Sequence, residues 1–407
     1  LAPGLAFLLG KWEAQMPTRR PVAAVLLPVL LLLGACATAR PIDLACRNLD
    51  AYRDAVPLTA AESRIAGGDA APAAPSRLAE RIAAALARQG PAGLSRDGAP
   101  APAPADIIVL SGGGQNGAYG AGVLAAWPQR PRFALVTGVS TGALQASDVF
   151  AGDAAGLQRL LQDYRIADER ELVIRRGETN VLSRGFIADQ LPLQARLAAR
   201  VEDFMARIRN ATAAAGDENR LLLVGVVDPA DEKLYAIDLT RIAHADDPER
   251  ASCFVGALLA SSAEPIIFRP VRVGGHILYD AGVRRAVFVA RLNELVTTAG
   301  GGGTLYMLFN GRLGTGREVP RPDIRHDTLA TLRRTVSILV DQVQIDSLLA
   351  ATVAAPTFAP LYTTTDGNSC VKADSDALFE PAYMACLADY GVARADDADL
   401  WRPFPAP

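Results

Sequence analysis

The sequence predicts an α/β protein in three layers, with helices on both faces of a mostly parallel central sheet. Between residues 107 and 142 two strand-like apolar runs are each followed by a glycine turn and a helical pattern. Further short apolar runs, Leu221 to Val227 and Thr304 to Asn310, fall between helical stretches. Half of the 407 residues are hydrophobic, enough to bury such a sheet from both sides.

The chain opens on residues that read as leader rather than fold. Residues 1–15 look like an upstream extension, because Met16 makes a far better start. Arg19 and Arg20, the apolar run Val22 to Leu33 and the small residues Gly34 and Ala35 compose a secretory signal over residues 16–35. That run is short for a membrane span and contains Pro28. Leu33-Gly34-Ala35-Cys36 resembles a bacterial lipobox, which implies that Cys36 is lipidated. Ala37 after it implies sorting to the outer membrane. The expected location is therefore the bacterial cell envelope, as an outer-membrane lipoprotein facing the periplasm, or secretion if Cys36 is incidental.

Residues 36–105 read as an N-terminal extension. Arg77 to Arg88 carries Leu78, Ile82, Ala85 and Leu86 at helical spacing, and GAPAPAPA at Gly98 to Ala105 is a Pro/Ala linker. The catalytic domain is expected over residues 106–310. Ile107 to Leu110 is a buried strand, followed by Gly112-Gly113-Gly114-Gln115-Asn116-Gly117 and a helix. Phe133 to Thr137 is the next strand, followed by Gly138-Val139-Ser140-Thr141-Gly142. The second motif fits the G-x-S-x-G elbow, in which a serine stands on a strained strand-to-helix turn and Gly138 and Gly142 leave room for the backbone. By itself it also fits a serine at a helix N-terminus. Gly112, Gly114 and Gly117 match a dinucleotide fingerprint, but the next strand ends Val136-Thr137-Gly138 without the acid that would hold a ribose. The glycine loop then suits an oxyanion hole, with backbone N–H groups at a helix N-terminus.

Together with Asp280-Ala281-Gly282, these motifs resemble the patatin-like phospholipase family, over roughly residues 106 to 310. The resemblance implies lipid acyl ester hydrolysis by a Ser–Asp dyad without histidine or cofactor. Ser140 would be the nucleophile, Asp280 its base, and Gly112, Gly113 and Gly114 the oxyanion loop. Ala260-Ser261-Ser262-Ala263-Glu264-Pro265 resembles the family's segment ahead of the aspartate strand. Two departures stand out. Asn116 occupies a place where the family often has Arg or Lys, and Ala281 replaces a frequent glycine, at a cost of roughly 1 kcal/mol if that position needs positive φ.

The remaining elements complete an α/β layer structure. Helices are expected at Leu157 to Tyr164, at Arg184 to Ala213 with an early break at Pro192, and at Ser252 to Ser261. The charged stretch from Arg165 to Arg176 reads as surface, and Lys233 to Leu239 as a hairpin partner of Leu221 to Val227. Residues 311–407 read as a C-terminal helical region. His326 to Ala350 is a long core-facing helix with Leu329, Leu332, Val336, Leu339, Val340, Val343 and Leu348 inward. Thr357 to Thr363 is an edge strand and Glu380 to Ala395 a closing helix.

Secretion brings Cys46, Cys253, Cys370 and Cys386 into an oxidising compartment. Four cysteines allow three pairings, of which Cys370 with Cys386 is the most local, while Cys253 fits a buried thiol equally well. With three histidines and no calcium loop, no metal is expected. A net charge of −3 without a basic cluster argues against nucleic acid and leaves a lipid substrate and a membrane surface as the expected partners. Two other functions fit parts of the pattern. One is an α/β-hydrolase triad of Ser140, an acid such as Asp238 or Asp280, and His326. The other is a non-catalytic lipid- or partner-binding lipoprotein.

Overall fold

The structure is a computed structural model and describes residues 40–57, 76–87, 93–94, 100–101, 105–177, 179–214, 218–288, 303–313, 328–354, 358–373 and 377–404. Cys36, the signal segment, the upstream extension and His326 lie outside the described residues.

Eleven strands form one sheet: β1 (Ile42–Leu44), β2 (Arg53–Ala55), β3 (Ile107–Leu110), β4 (Leu135–Gly138), β5 (Leu221–Asp228), β6 (Lys233–Asp238), β7 (Val271–Val273), β8 (His276–Asp280), β9 (Thr304–Leu308), β10 (Ala359–Thr363) and β11 (Arg402–Pro403). The order is β1-β7-β8-β5-β4-β3-β9-β10-β11, with β6 paired to β5 and β2 paired to β6. The run β5-β4-β3-β9-β10 is parallel throughout. β3, β4 and β5 are buried at every position, as parallel strands covered on both faces must be. The sheet is thus mostly parallel, with helices on both faces.

Ten helices matter for the site and its support: α1 (Leu49–Tyr52), α2 (Arg77–Leu86), α3 (Gly117–Ala126), α4 (Thr141–Ala151), α5 (Ala154–Asp163), α6 (Leu191–Thr212), α7 (Leu239–His244), α8 (Arg250–Ser261), α9 (Thr328–Ala354) and α10 (Pro381–Arg394). Two apolar clusters follow the two faces. One gathers α3, α4, α5, α6, α8 and α10 around Ile108, Leu110, Val136, Leu222 and Val224. The other gathers α2 and the inner end of α9 around Ile107, Val109, Leu135, Leu221 and Leu223. Successive strand residues therefore point to opposite layers.

Buried polar groups tie the layers together. Arg220, 3% exposed, donates to the carbonyls of Phe133, Phe150 and Ala211 and lies over the Phe150 ring. It thereby places a cation among carbonyls near the C-terminal ends of α4 and α6, where the helix dipole favours one. Cys46 is bonded to Cys253 and Cys370 to Cys386. The first bond excludes the free thiol considered for Cys253.

Several sequence expectations need correction. The segment assigned to an N-terminal extension supplies β1 and β2, so the sheet does not begin near Asp106. Residues Gly93–Leu94 and Pro100–Ala101 pair as a short antiparallel ladder, where the Pro/Ala stretch reads as linker. The helix expected from Arg184 is two: a short one ends at Arg184, and α6 starts at Leu191 with Pro192 in its first turn, where a missing N–H costs nothing. β10 is no edge strand, since β11 pairs along its outer side. In α9 Leu348 is buried, but Leu339 is 60% exposed beside an exposed Ile338. The expected apolar face is thus sheltered only near its C-terminal end. Leu329, Leu332 and Val336 lie outside the described side chains.

Candidate active site

Sheet register brings the two key residues together. β5 pairs through Leu221 to Val224 with β4 on one edge, and through Leu223 to Asp228 with β6. Residues paired to both strands show that β4 and β6 lie on opposite edges. β4 stops at Gly138, opposite Val224, and beyond it β8 runs antiparallel to β5 with Asp280 opposite Val226. Val226 is also paired to β6, so β8 occupies the edge that β4 has vacated. The C-terminal ends of β4 and β8 therefore approach each other head-on. Ser140 follows one end and Asp280 is the other.

The Ser140 backbone has φ 56° and ψ −124°, and Gly142 N–H donates to Val139 C=O at 2.8 Å. These angles match the first central position of a type II′ turn, which glycine favours. A serine held there costs of order 1–3 kcal/mol and is projected away from strand and helix alike. Gly142 is required by packing, since a Cβ would lie 2.2 Å from the Leu110 carbonyl oxygen. Ser140 N–H donates to Ser261 Oγ at 3.2 Å, and Ser261 Oγ donates to Gly225 C=O at 2.7 Å. The elbow is thereby fixed to α8 and β5.

Asp280 is 4% exposed, and its Oδ1 accepts from Gly282 N–H at 2.7 Å. Burial raises its pKa to about 6, against the opposing pull of the Ser140 hydroxyl and the Gly282 N–H. Its own N–H donates to Ala263 C=O at 3.1 Å, which ties it to the Ser261 to Glu264 segment. Glu264 is raised to about 7, first by burial and then by the charge of Asp280. Sequence reasoning singled out that segment without seeing that Glu264 is a second carboxyl beside the first.

The glycine loop lies alongside. A Cβ on Gly112 would meet Ser140 Cβ at 3.2 Å, so the loop abuts the elbow. On Gly113 it would lie 1.8 Å from Asn310 carbonyl oxygen, which only glycine permits. Gly114 has φ 55° and borders the same cavity as Ser140. No described residue accepts from the N–H groups of Gly112, Gly113 or Gly114. A buried amide network holds the loop. Asn310 N–H donates to Ser111 Oγ at 2.9 Å, Asn310 Nδ2 to Ser111 C=O at 2.8 Å, and Gln145 Nε2 to Gly117 C=O at 2.8 Å. From the other side Gln115 Oε1 accepts from Glu380 N–H and Asn116 Oδ1 from the Tyr383 hydroxyl. Asn116 thus anchors the loop to α10. Ala281 has no positive φ, so its replacement of glycine is unstrained.

Behind Ser140 an apolar cavity opens between α4, α5 and α6, bordered by Leu144, Leu160, Leu193, Leu197 and Phe204. Asp238, the alternative acid, is instead paired with Arg81 and caps α7 through Arg241 N–H. The described histidines are also engaged: His276 with Asp228 and Arg53, His244 with Thr212. Among the described residues no group of His, Cys, Asp and Glu has the makings of a metal site.

An elbow serine, a buried carboxylate and a glycine loop with free N–H groups at the ends of parallel strands define a serine-hydrolase class of site. Residues 108–292 match the family model of the patatin-like phospholipases, and the chain carries a domain of that family. The domain is that of a lipid acyl hydrolase. No curated protein matches the chain significantly.

Proposed function

We propose that the protein is a phospholipase A- or lysophospholipase-type esterase that works through a Ser140–Asp280 dyad. The observation carrying this reading is the head-on meeting of β4 and β8 on one edge of β5. Ser140 Oγ attacks the ester carbonyl carbon while Asp280 takes its proton. The oxyanion that forms is held by the N–H groups of Gly113 and Gly114, beside Gly112, near the N-terminus of α3. The intermediate then collapses, the ester C–O bond breaks, and the leaving alcohol takes the proton from Asp280. Asp280 next deprotonates a water, which attacks the acyl-enzyme and releases the fatty acid with Ser140 restored. A pKa near 6 makes Asp280 a better base than an ordinary carboxylate while leaving it mostly ionised at neutral pH.

The protein acts, in this reading, from the periplasmic face of the outer membrane, anchored by lipid on Cys36. The two disulfides fit an oxidising compartment. Among the described residues no helix is long and apolar enough to cross a membrane. Metabolic labelling with palmitate should mark the wild type and not Cys36→Ala.

The decisive test uses protein beginning after Cys36, a fluorophosphonate probe and p-nitrophenyl esters. Labelling and hydrolysis should both vanish in Ser140→Ala. Asp280→Asn should lower hydrolysis by roughly 10²–10⁴-fold, the usual contribution of a positioned base. His326→Gln should retain activity; its inactivity would overturn the dyad in favour of a triad.

A further inference from the structure

The cavity behind Ser140 has a direction and an end. The N-terminal end of α6 lies beside the nucleophile, because Gln190 Nε2 donates to Ser262 C=O at 3.3 Å and Ser262 Oγ is 3.4 Å from Ser140 carbonyl oxygen. Leu193, Leu197, Arg200 and Phe204 then follow along one face of α6 and all border the cavity. From Leu193 to Phe204 the helix rises about 16 Å at 1.5 Å per residue. α4 leads away from Ser140 on the opposite side through Leu144, and Leu160 of α5 closes the space between them.

Phe204 is held firmly. It is 3% exposed, its ring is nearly parallel to that of Phe254 with centroids 6.2 Å apart, and the Arg200 guanidinium lies 4.5 Å above it. Arg200 is in turn paired with Asp163 and, at 3.5 Å, with Asp148, which is itself paired with Arg207. Pushing Phe204 aside would break a stacked pair and disturb buried ion pairs. The charged groups bordering the cavity, Asp163, Arg196 and Arg200, are bound to one another or to Glu171 and Asp148. Their stems therefore offer methylene surface while their charges are paired, which suits an uncharged alkyl chain.

We infer that this cavity is an acyl-chain site of bounded length, that Phe204 sets the bound, and that the protein selects esters of medium-chain acids. The inference rests on Ser140 being the nucleophile. Chain length then reads the cavity directly. Within the bound, two added methylenes should raise kcat/KM about tenfold, as burial of that much alkyl surface requires. Past it the gain should stop or reverse.

The test is kcat/KM for p-nitrophenyl esters from butyrate to palmitate, with fluorophosphonate labelling of each protein as a control for an assembled site. Wild type should peak before palmitate. Phe204→Leu should move the peak to longer acyl chains, and Leu144→Phe, on the other wall at a half-buried position, to shorter ones. A wild-type rate still climbing at palmitate would overturn the bound. So would a labelled Phe204→Leu protein with the wild-type profile. Wild type that neither labels nor hydrolyses would instead overturn the hydrolase reading itself, which keeps the two failures apart.

Discussion

Ser140 and Asp280 each hold a conformation or a charge that the fold would be more stable without. For Asp280 the sign follows from its raised pKa. The folded state binds the proton more tightly than the unfolded chain, so ionisation costs stability as pH rises from about 4 to about 6. Asp280→Asn should be more stable than wild type at pH 8, by on the order of 3 kcal/mol for a shift of about two units. The difference should disappear near pH 3.5, and urea titrations at the two pH values would measure it. The same logic applies to the Ser140 backbone. Ser140→Gly should be more stable than Ser140→Ala by roughly 1–3 kcal/mol, because only glycine relaxes at that φ, and thermal melts would show it. Glu264 gives a kinetic signature. Two neighbouring carboxyls raised to about 6 and about 7 titrate as a pair, so kcat/KM should rise across pH 5 to 8 in two overlapping steps. Glu264→Gln should leave the single step of Asp280 near pH 6, because Glu264 ionises only after Asp280 and carries no charge where Asp280 titrates.

Among the elements, α3 and α10 carry the glycine loop and pack unusually close. A Cβ on Gly391 would lie 2.2 Å from the Tyr119 carbonyl oxygen, and one on Gly122 would lie 2.2 Å from that of Ala388. Gly391→Ala should therefore separate the helices, lower the melting temperature and reduce activity, since α10 also holds Asn116 through Tyr383. Much of this architecture was legible in the sequence. The two glycine motifs and the apolar runs β3, β4, β5 and β9 declare themselves because a strand buried on both faces has to be apolar throughout. Three features were not legible, each for a physical reason. β1 and β2 are only three residues long and become strands because β7 and β6 offer them an edge. The exposed part of α9 has helical spacing whether or not anything covers it. Asn310, in the sequence only the polar end of the run Thr304 to Asn310, is an anchor of the glycine loop, and a buried amide network leaves no local pattern in the chain.

At the scale of the whole molecule, the N-terminal segment and the C-terminal region both belong to the structure that supports the site. Residues 42–55 add two strands and one end of the Cys46–Cys253 bond, which closes a loop 207 residues long. In the chain-entropy account such a loop contributes roughly 5 kcal/mol, against about 3 kcal/mol for the 16-residue loop of Cys370–Cys386. Protein starting at residue 106 should accordingly melt well below protein starting at residue 37. It should also aggregate, because it bares the edges of β6 and β7, and size-exclusion chromatography with thermal melts would check both outcomes. The meeting of β4 and β8 has a further consequence. Side chains alternate between the faces of a sheet, so a slip of one residue in β8 would turn Asp280 to the opposite layer. A chain with β8 unpaired or misregistered carries every catalytic residue and yet has no catalyst. Under the proposed mechanism, hydrolysis is thus the readout of a finished sheet, and a chain on its way to the proposed periplasmic site would be silent until β8 has paired.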